Sequence, residues 1–282
     1  MTYSEKHIAI VSNPVQEKAL RMTDKIALLL SGMDIQYSIF TTQWPQTWDG
    51  ITEAWIIGGD GTLNWFINQY PSMHLPLSIF PGGTGNDFHW MLYGAKTIEQ
   101  QAEQVLEGKP QLIDAGICNG KLFLNGVGIG FDGAIVKDLL CKKKRPGKTS
   151  YLLSILKHII GYREKLCMIR TIDESISEDC FMISIANGKR YGGGFEVAPR
   201  ASVTDALLDV SIIEKVSLLK RIRYLPVIEK GEHLQLPFVQ YKQLASVSVS
   251  SPQALYAHID GEFEINSRFD IEILPKHFSF VC

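Results

Sequence analysis

A fully apolar tetrapeptide, Ala54-Trp55-Ile56-Ile57, runs straight into Gly58-Gly59-Asp60-Gly61-Thr62, and a helix-like segment follows from near Leu63. An apolar run without polar alternation reads as a strand buried on both faces, which calls for a largely parallel sheet covered by helices. Three glycines in four positions let the backbone turn sharply and approach a ligand, while the following helix offers unpaired N–H groups to a phosphate. A plain strand-to-helix turn capped by Asp60 or Thr62 is the simpler reading, but capping alone needs fewer glycines.

A second loop of this kind, Pro81-Gly82-Gly83-Thr84-Gly85-Asn86-Asp87-Phe88, follows the apolar run 75–80. Two such loops from neighbouring strands would face each other across one crevice. The strand-like run 7–11 ends at Ser12-Asn13-Pro14, and the run 36–40 is followed by Thr42. Ala19, Leu20, Ile26, Ala27 and Leu30 give a helical spacing in the segment that separates those two strands. Open parallel sheets bind ligands at the carboxyl ends of their strands. Small hydroxyls and backbone amides gathered there suggest a nucleoside triphosphate.

From about residue 112 the pattern changes. Asn119-Gly120 between two apolar runs signals a hairpin, and strand-like runs follow at 166–172, 181–186, 207–213, 244–249, 254–259 and 269–274. One helix-like stretch, 149–162, interrupts them. A chain of 282 residues makes one large domain or two small ones. The shift favours two: an α/β domain over 1–114 and a mainly β, sandwich-like domain over 115–282, whose last strand has the option of returning to the first.

Composition narrows the function classes. Lys plus Arg number 28 against 30 Asp plus Glu, a net charge of -2, so no global basic field points to nucleic acid. The longest apolar runs, 26–30 and 151–162, fall short of the ~20 residues of a membrane-spanning helix. MTYSEKHIAIVSNP puts charge before a very short apolar run and lacks a small-residue cleavage site, so a cytoplasmic location is expected. Five scattered cysteines without C-x-x-C spacing suggest neither zinc nor a disulfide framework.

Two familiar nucleotide motifs fail on spacing. Gly147-Lys148-Thr149 would need a glycine at 142, where Lys142 stands. Gly128-Ile129-Gly130-Phe131-Asp132-Gly133 satisfies G-x-G-x-x-G, but it lies in the β-rich part with no Asp or Glu near 150 for a ribose.

Other clusters carry possible chemistry. His258-Ile259-Asp260-Gly261-Glu262 sets two carboxylates around a glycine, and phosphoryl transfer to a hydroxyl needs a group that accepts or orients its proton. Solvated acids in a strand-to-strand turn are the alternative. Asn187-Gly188-Lys189-Arg190-Tyr191-Gly192-Gly193-Gly194-Phe195 and the later Thr204-Asp205-Ala206-Leu207-Leu208-Asp209 place a carboxylate near loop carbonyls, the oxygen donors that magnesium takes. Lys142-Lys143-Lys144-Arg145 is the densest positive run, suited to an anionic membrane surface or to a solvated loop. The neighbouring stretch 151–162 would line a lipid pocket or form a core helix.

Asn13-Pro14, Gly58 to Asn64, Pro81 to Phe88, Asn125 to Asp132, Asn187 to Pro199 with Asp205 to Val210, and Asp260-Gly261-Glu262 together resemble the diacylglycerol kinase catalytic-domain family, the soluble bacterial lipid kinases, over essentially the whole chain. The resemblance implies an amino-terminal nucleotide domain of the NAD kinase and phosphofructokinase type, a β-sandwich-like lipid domain, and an active site between them. It implies ATP on Asn13, Thr42, Gly58, Gly59, Asp60, Gly61, Thr62, Leu63, Asn64 and Thr84. It also implies magnesium on Asp205 with the carbonyls of Ser202 and Leu207. Glu262 becomes the favoured proton acceptor, with Asp260 a close contender. The expected partner is a lipid substrate at the membrane surface.

Three departures accompany the resemblance. Val15-Gln16-Glu17-Lys18 replaces the usual Ser-Gly loop with its basic residue, Trp65 stands where a glutamate is usual, and the segment between Thr42 and Ala54, with Trp44, Pro45 and Trp48, is short. They motivate a competing reading as a weakened nucleotide- or lipid-binding relative. The Gly-Gly-Asp-Gly loop motivates another, a NAD kinase-type transferase.

Overall fold

The computed structural model describes residues 5–141 and 148–282, with side chains for 5–140 and 154–282. The basic run at 142–145 lies outside the described residues. Two compact units are present: Met1–Ile113 with Lys276–Cys282, and Asp114–Pro275.

The first unit alternates strand and helix: β1 (His7–Ser12), α1 (Glu17–Gly32), β2 (Gln36–Phe40), β3 (Glu53–Gly58), α2 (Asp60–Gln69), β4 (Leu77–Pro81), α3 (Asp87–Tyr93) and α4 (Ile98–Glu107). All β pairings among β1 to β4 are parallel, in the order β2-β1-β3-β4. All six residues of β3 are buried, as its unbroken apolar run requires. In α1 the buried residues Ala19, Thr23, Ile26, Ala27 and Leu30 recur at three- and four-residue steps and form the face turned to the sheet. Because β3 and β4 are neighbours, both glycine loops leave the same edge of the sheet.

Next come β5 (Pro110–Cys118), β6 (Lys121–Phe123), β7 (Gly126–Gly130), α5 (Phe131–Cys141), α6 (Lys148–Gly161), β8 (Lys165–Arg170), β9 (Ser175–Ala186), β10 (Leu208–Glu214), α7 (Leu218–Glu229), β11 (Val239–Leu244), β12 (Ser246–Ile259) and β13 (Glu262–Val281). Strand β5 crosses the unit boundary at Ile113, and β13 re-enters the first unit at Lys276, where Phe280 pairs with Leu77 in parallel. Asn119 and Gly120, at φ 48° and 85°, make the two-residue turn that joins β5 to β6.

In the second unit β9 and β12 are each long enough to pair with both β7 and β8, so the four strands close into a ring. A register shift between Ser250 and Leu255 lets β12 change partner. Ile129, Ile169, Ile183, Val249 and Ala257 fill the interior. A second apolar cluster, including Phe131, Ile159, Phe181 and Phe238, draws on α5, α6, β9 and the start of β11. No described helix is long and apolar enough to cross a membrane.

Candidate functional site

In the first unit the two glycine loops touch backbone to backbone. The Gly82 N–H donates to the Gly58 carbonyl at 2.8 Å. A Cβ on Gly83 would stand 2.5 Å from the Gly59 Cα, and one on Gly58 would stand 2.4 Å from the Thr62 Cβ. Glycine is therefore needed here for close approach of two main chains.

Asp60 does not sit in a loop ahead of the helix: α2 begins at Asp60 rather than near Leu63. Its Oδ2 accepts the N–H groups of Asn86 at 2.9 Å and Asp87 at 3.0 Å, and its Oδ1 accepts the Phe88 N–H at 2.9 Å. Asp60 thus caps α3 from another strand end and fixes the second loop against the first. Asn86, at φ 133°, closes that loop on itself: its Oδ1 accepts the Gly83 N–H at 3.1 Å, and its Nδ2 donates to the Gly83 carbonyl at 3.2 Å. No local pattern marks the Asp60 role, since its partners lie 26 to 28 residues away.

Around this frame, Gly61, Thr42 and Thr84 are exposed, Asn13 is half-buried, and Leu63 and Asn64 are buried beneath α2. The Asn13 side chain accepts the Val15 N–H at 2.9 Å. Lys18, within the unusual segment after Asn13-Pro14, reaches the second loop and donates to the Gly83 carbonyl at 3.1 Å. Ser12 Oγ and Thr62 Oγ1 are buried without a partner among the described residues. Unpartnered hydroxyls at the end of β1 and in the first turn of α2, beside glycines that admit no side chain, suit an anionic ligand.

Trp65 is 57% exposed and packs on Trp44, ring centroids 4.1 Å apart. Trp44 also lies against Phe66 and donates its indole N–H to the Ser12 carbonyl at 3.3 Å, while the Tyr70 hydroxyl donates to the Pro45 carbonyl at 2.7 Å. The Trp65 ring thus belongs to an aromatic cluster that holds the segment after Thr42 in place.

In the second unit, Asp260 stands at φ 47° in the turn between β12 and β13. Its Oδ2 accepts the Leu124 N–H at 2.8 Å, and its Oδ1 accepts those of Asn125 at 3.0 Å and Gly126 at 2.8 Å. The buried Asn187 donates to the Leu124 carbonyl at 2.8 Å and the Asp114 carbonyl at 3.1 Å, and its own N–H binds the Asn125 carbonyl at 2.9 Å. Three motifs far apart in sequence are thereby tied into one knot. Glu262, two residues beyond Asp260, is exposed.

Behind the Asp260 turn, His258 Nδ1 accepts the Gly261 N–H at 3.3 Å, and its Nε2 lies 3.9 Å from Asp132 Oδ2. The Tyr191 hydroxyl donates to Asp132 at 2.8 Å. Burial pushes Asp132 up to about 6 and His258 down to about 4, each toward its neutral form. Asp132 and Tyr191 help line a mainly apolar cavity with Phe131, Phe181, Ile213 and Phe238, to which Lys220 and Arg221 also contribute. Neither His258 nor Tyr191 carried a sequence signal for this cluster, because a buried polar residue on a strand reads like any other.

The loop after Ala201 is clamped from behind by the buried Asp114, whose Oδ2 accepts the Ala206 N–H at 2.7 Å while its own N–H donates to the Val203 carbonyl at 2.7 Å. Asp205 is exposed, and its Oδ1 accepts the Leu207 N–H at 3.1 Å. Ser202 Oγ lies 3.3 Å from Thr204 Oγ1. Among the described residues no group of three or more His, Cys, Asp or Glu is placed to hold a metal. A cation on this loop would need carbonyl oxygens beside the Asp205 carboxylate, a donor set that suits magnesium with its retained waters.

A parallel sheet with paired glycine loops is thus joined in sequence to a closed β domain that carries an Asp-Gly-Glu turn. The family described as diacylglycerol kinase catalytic domain matches residues 7–118, and the YegS C-terminal NAD kinase beta sandwich-like domain matches residues 125–282. The chain belongs to this family of diacylglycerol kinase and YegS-like lipid kinase sequences. It is 30% identical over 219 residues to a diacylglycerol kinase of Bacillus subtilis (strain 168), covering 73% of this chain and 69% of that one. It is 29% identical over 235 residues to a diacylglycerol kinase of Mycobacterium tuberculosis (strain ATCC 25618 / H37Rv), covering 80% and 75%. A crystal structure of a diacylglycerol kinase from Bacillus anthracis str. Sterne shares the fold at TM-score 0.72 and 19% identity, covering 100% of this chain and 98% of that one.

Proposed function

We propose that this chain is an ATP- and magnesium-dependent lipid kinase that transfers the γ-phosphate to the hydroxyl of a diacylglycerol-like acceptor in phospholipid metabolism, working from the cytoplasm at a membrane surface. The observation that carries the reading is the pair of glycine loops locked by Asp60 with two buried, unpartnered hydroxyls beside them. Backbone amides at the start of α2, with Asn13, Thr42, Thr62 and Thr84, hold the nucleotide phosphates, and Lys18 brings a cation to the same loops. Asp205 and the carbonyls of Ser202 and Leu207 hold magnesium. Bound Mg-ATP supplies the transferable phosphoryl group and neutralises its charge.

Between the two candidate bases the geometry favours Glu262. Asp260 spends both oxygens on three backbone N–H groups and shapes the turn, whereas Glu262 is exposed and two residues away. Glu262 accepts the proton of the acceptor hydroxyl as it attacks. The cavity under α6 and α7 is lined mainly by apolar side chains, which supports a lipid acceptor over a polar dinucleotide.

The test is transfer of label from γ-labelled Mg-ATP to a total lipid extract in mixed micelles, with NAD offered in parallel. Label in a lipid product supports the reading. Label in NAD alone, or none from a chain shown to bind ATP, overturns it.

A further inference from the structure

The exposed Trp65 ring is one part of a built platform in the first unit. It tilts on Trp44 at an interplanar angle of 56°. Trp44 is itself held from three directions: it stacks on Tyr70 with centroids 6.4 Å apart and planes 19° apart, it lies on buried Phe66 at 5.6 Å, and its indole N–H is bound to the Ser12 carbonyl. Tyr70 meets Trp48 edge-on at 5.1 Å and is tied through its hydroxyl to Pro45. A single apolar ring on a surface is ordinary, but an open ring braced by several others is already in place for a flat ligand and loses little freedom when covered.

This platform adjoins the glycine loops. Ser12, whose carbonyl accepts the Trp44 N–H, also carries one of the two buried, unpartnered hydroxyls, and Thr62, one turn before Phe66 in α2, carries the other. Exposed Thr42 stands two residues before Trp44. A long side chain on a helix leans back over the turn before it, and the residue one turn before Trp65 is Gly61. A Cβ on Gly61 would meet nothing within 4 Å, so open space extends from the first turn of α2 towards the Trp65 ring. Phosphates seated on the amides of that turn carry a ribose and a base with them. The base is the part of a nucleotide with two flat π faces, and its covalent tie to the phosphates keeps it within a ribose's reach of the cradle.

We infer that Trp65, braced by Trp44, is the nucleobase platform of this chain, so that the base is recognised by its face. The inference rests on the nucleotide reading of the glycine loops and assigns the half of the ligand that those loops do not hold.

The experiment is calorimetric titration of the full chain with Mg-ATP, Mg-GTP and magnesium tripolyphosphate, which carries the phosphates without a base. The wild type is expected to bind both nucleotides more tightly than tripolyphosphate. Trp65→Ala should weaken ATP and GTP alike by about tenfold, a typical loss for one stacked base, and leave tripolyphosphate at its wild-type affinity. Trp65→Phe should keep most of the ATP affinity, since a smaller flat ring still stacks. ATP should quench the tryptophan emission of the wild type, tripolyphosphate should not, and Trp65→Phe should remove the larger part of that quench. Wild-type ATP affinity in Trp65→Ala, or equal weakening of ATP and tripolyphosphate, overturns the platform and leaves the kinase reading standing. A loss confined to ATP overturns recognition by the face. A wild-type chain that binds tripolyphosphate as tightly as ATP overturns the platform alone, and one that binds neither overturns the kinase reading as well.

Discussion

The Asp60 carboxylate accepts the backbone N–H of Phe88 at 2.9 Å across two neighbouring strand ends. With the N–H groups of Asn86 and Asp87 it takes three consecutive donors, and Asp260 takes the three at 124–126 in the same manner. An aspartate expected to contact ATP and one expected as a candidate base therefore each fasten the loops around them.

Asp60→Ala is expected to destabilise the first unit by about 2–4 kcal/mol, because three N–H groups lose a charged acceptor at once. ATP affinity should fall with it. Asp60→Asn, which keeps one acceptor oxygen, should recover part of both. Calorimetric unfolding alongside ATP titration checks this; a fully stable Asp60→Ala that has lost ATP binding would return Asp60 to a direct ligand role.

Arg221→Met should destabilise the second unit by about 3 kcal/mol. The guanidinium and Glu164 lie 2.5 Å apart at 9% and 7% side-chain exposure, so the change leaves a buried carboxylate without its partner. It also removes the donor to the α6 carbonyls. Adding Glu164→Leu should restore much of the loss, and chemical denaturation of both variants measures it.

The pH dependence of the buried pair has a definite sign. His258 is shifted down to about 4, so its neutral burial favours folding above the unfolded value near 6.5, and that contribution is lost as pH falls toward 4. Asp132 is shifted up to about 6, so its burial costs stability as pH rises from 3.8 to 6. The two slopes oppose each other between pH 4 and 6 and nearly cancel in the wild type. Asp132→Asn should uncover the histidine slope, with stability rising about 1.4 kcal/mol per pH unit over that window relative to wild type. Parallel curves for the two proteins in denaturant titrations would contradict the assignment.

What the sequence made legible was local. The apolar run of β3 and the glycines after it are contiguous, and the turn at Asn119-Gly120 is dictated by two residues at positive φ. The unread elements depend on distant contacts. β12 looks like two short strands because Pro252 sits at the register shift, and β13 shows only its apolar stretch because residues 262–268 are largely exposed. α7 contains Pro226 and only half-buries Tyr224, Leu225 and Ile228 against the second apolar cluster, so its inner stripe is weak in the sequence. α5 follows β7 without a break, and its apolar residues continue those of the strand. For the site, the loops and the Asp-Gly-Glu turn stand in the sequence, but which carboxylate is held and which is exposed depends on backbone donors as far as 136 residues away.

The division of labour between Asp260 and Glu262 is the central claim, and turnover of Glu262→Gln tests it most directly. On the acceptor found in the lipid extract, Glu262→Gln should lower kcat by about 10²-fold or more, the usual contribution of a general base, while ATP affinity and thermal midpoint stay at wild-type values. Asp260→Asn should instead lower the thermal midpoint together with activity. Wild-type turnover by Glu262→Gln, with activity lost in Asp260→Asn at unchanged stability, would contradict the account and make Asp260 the base.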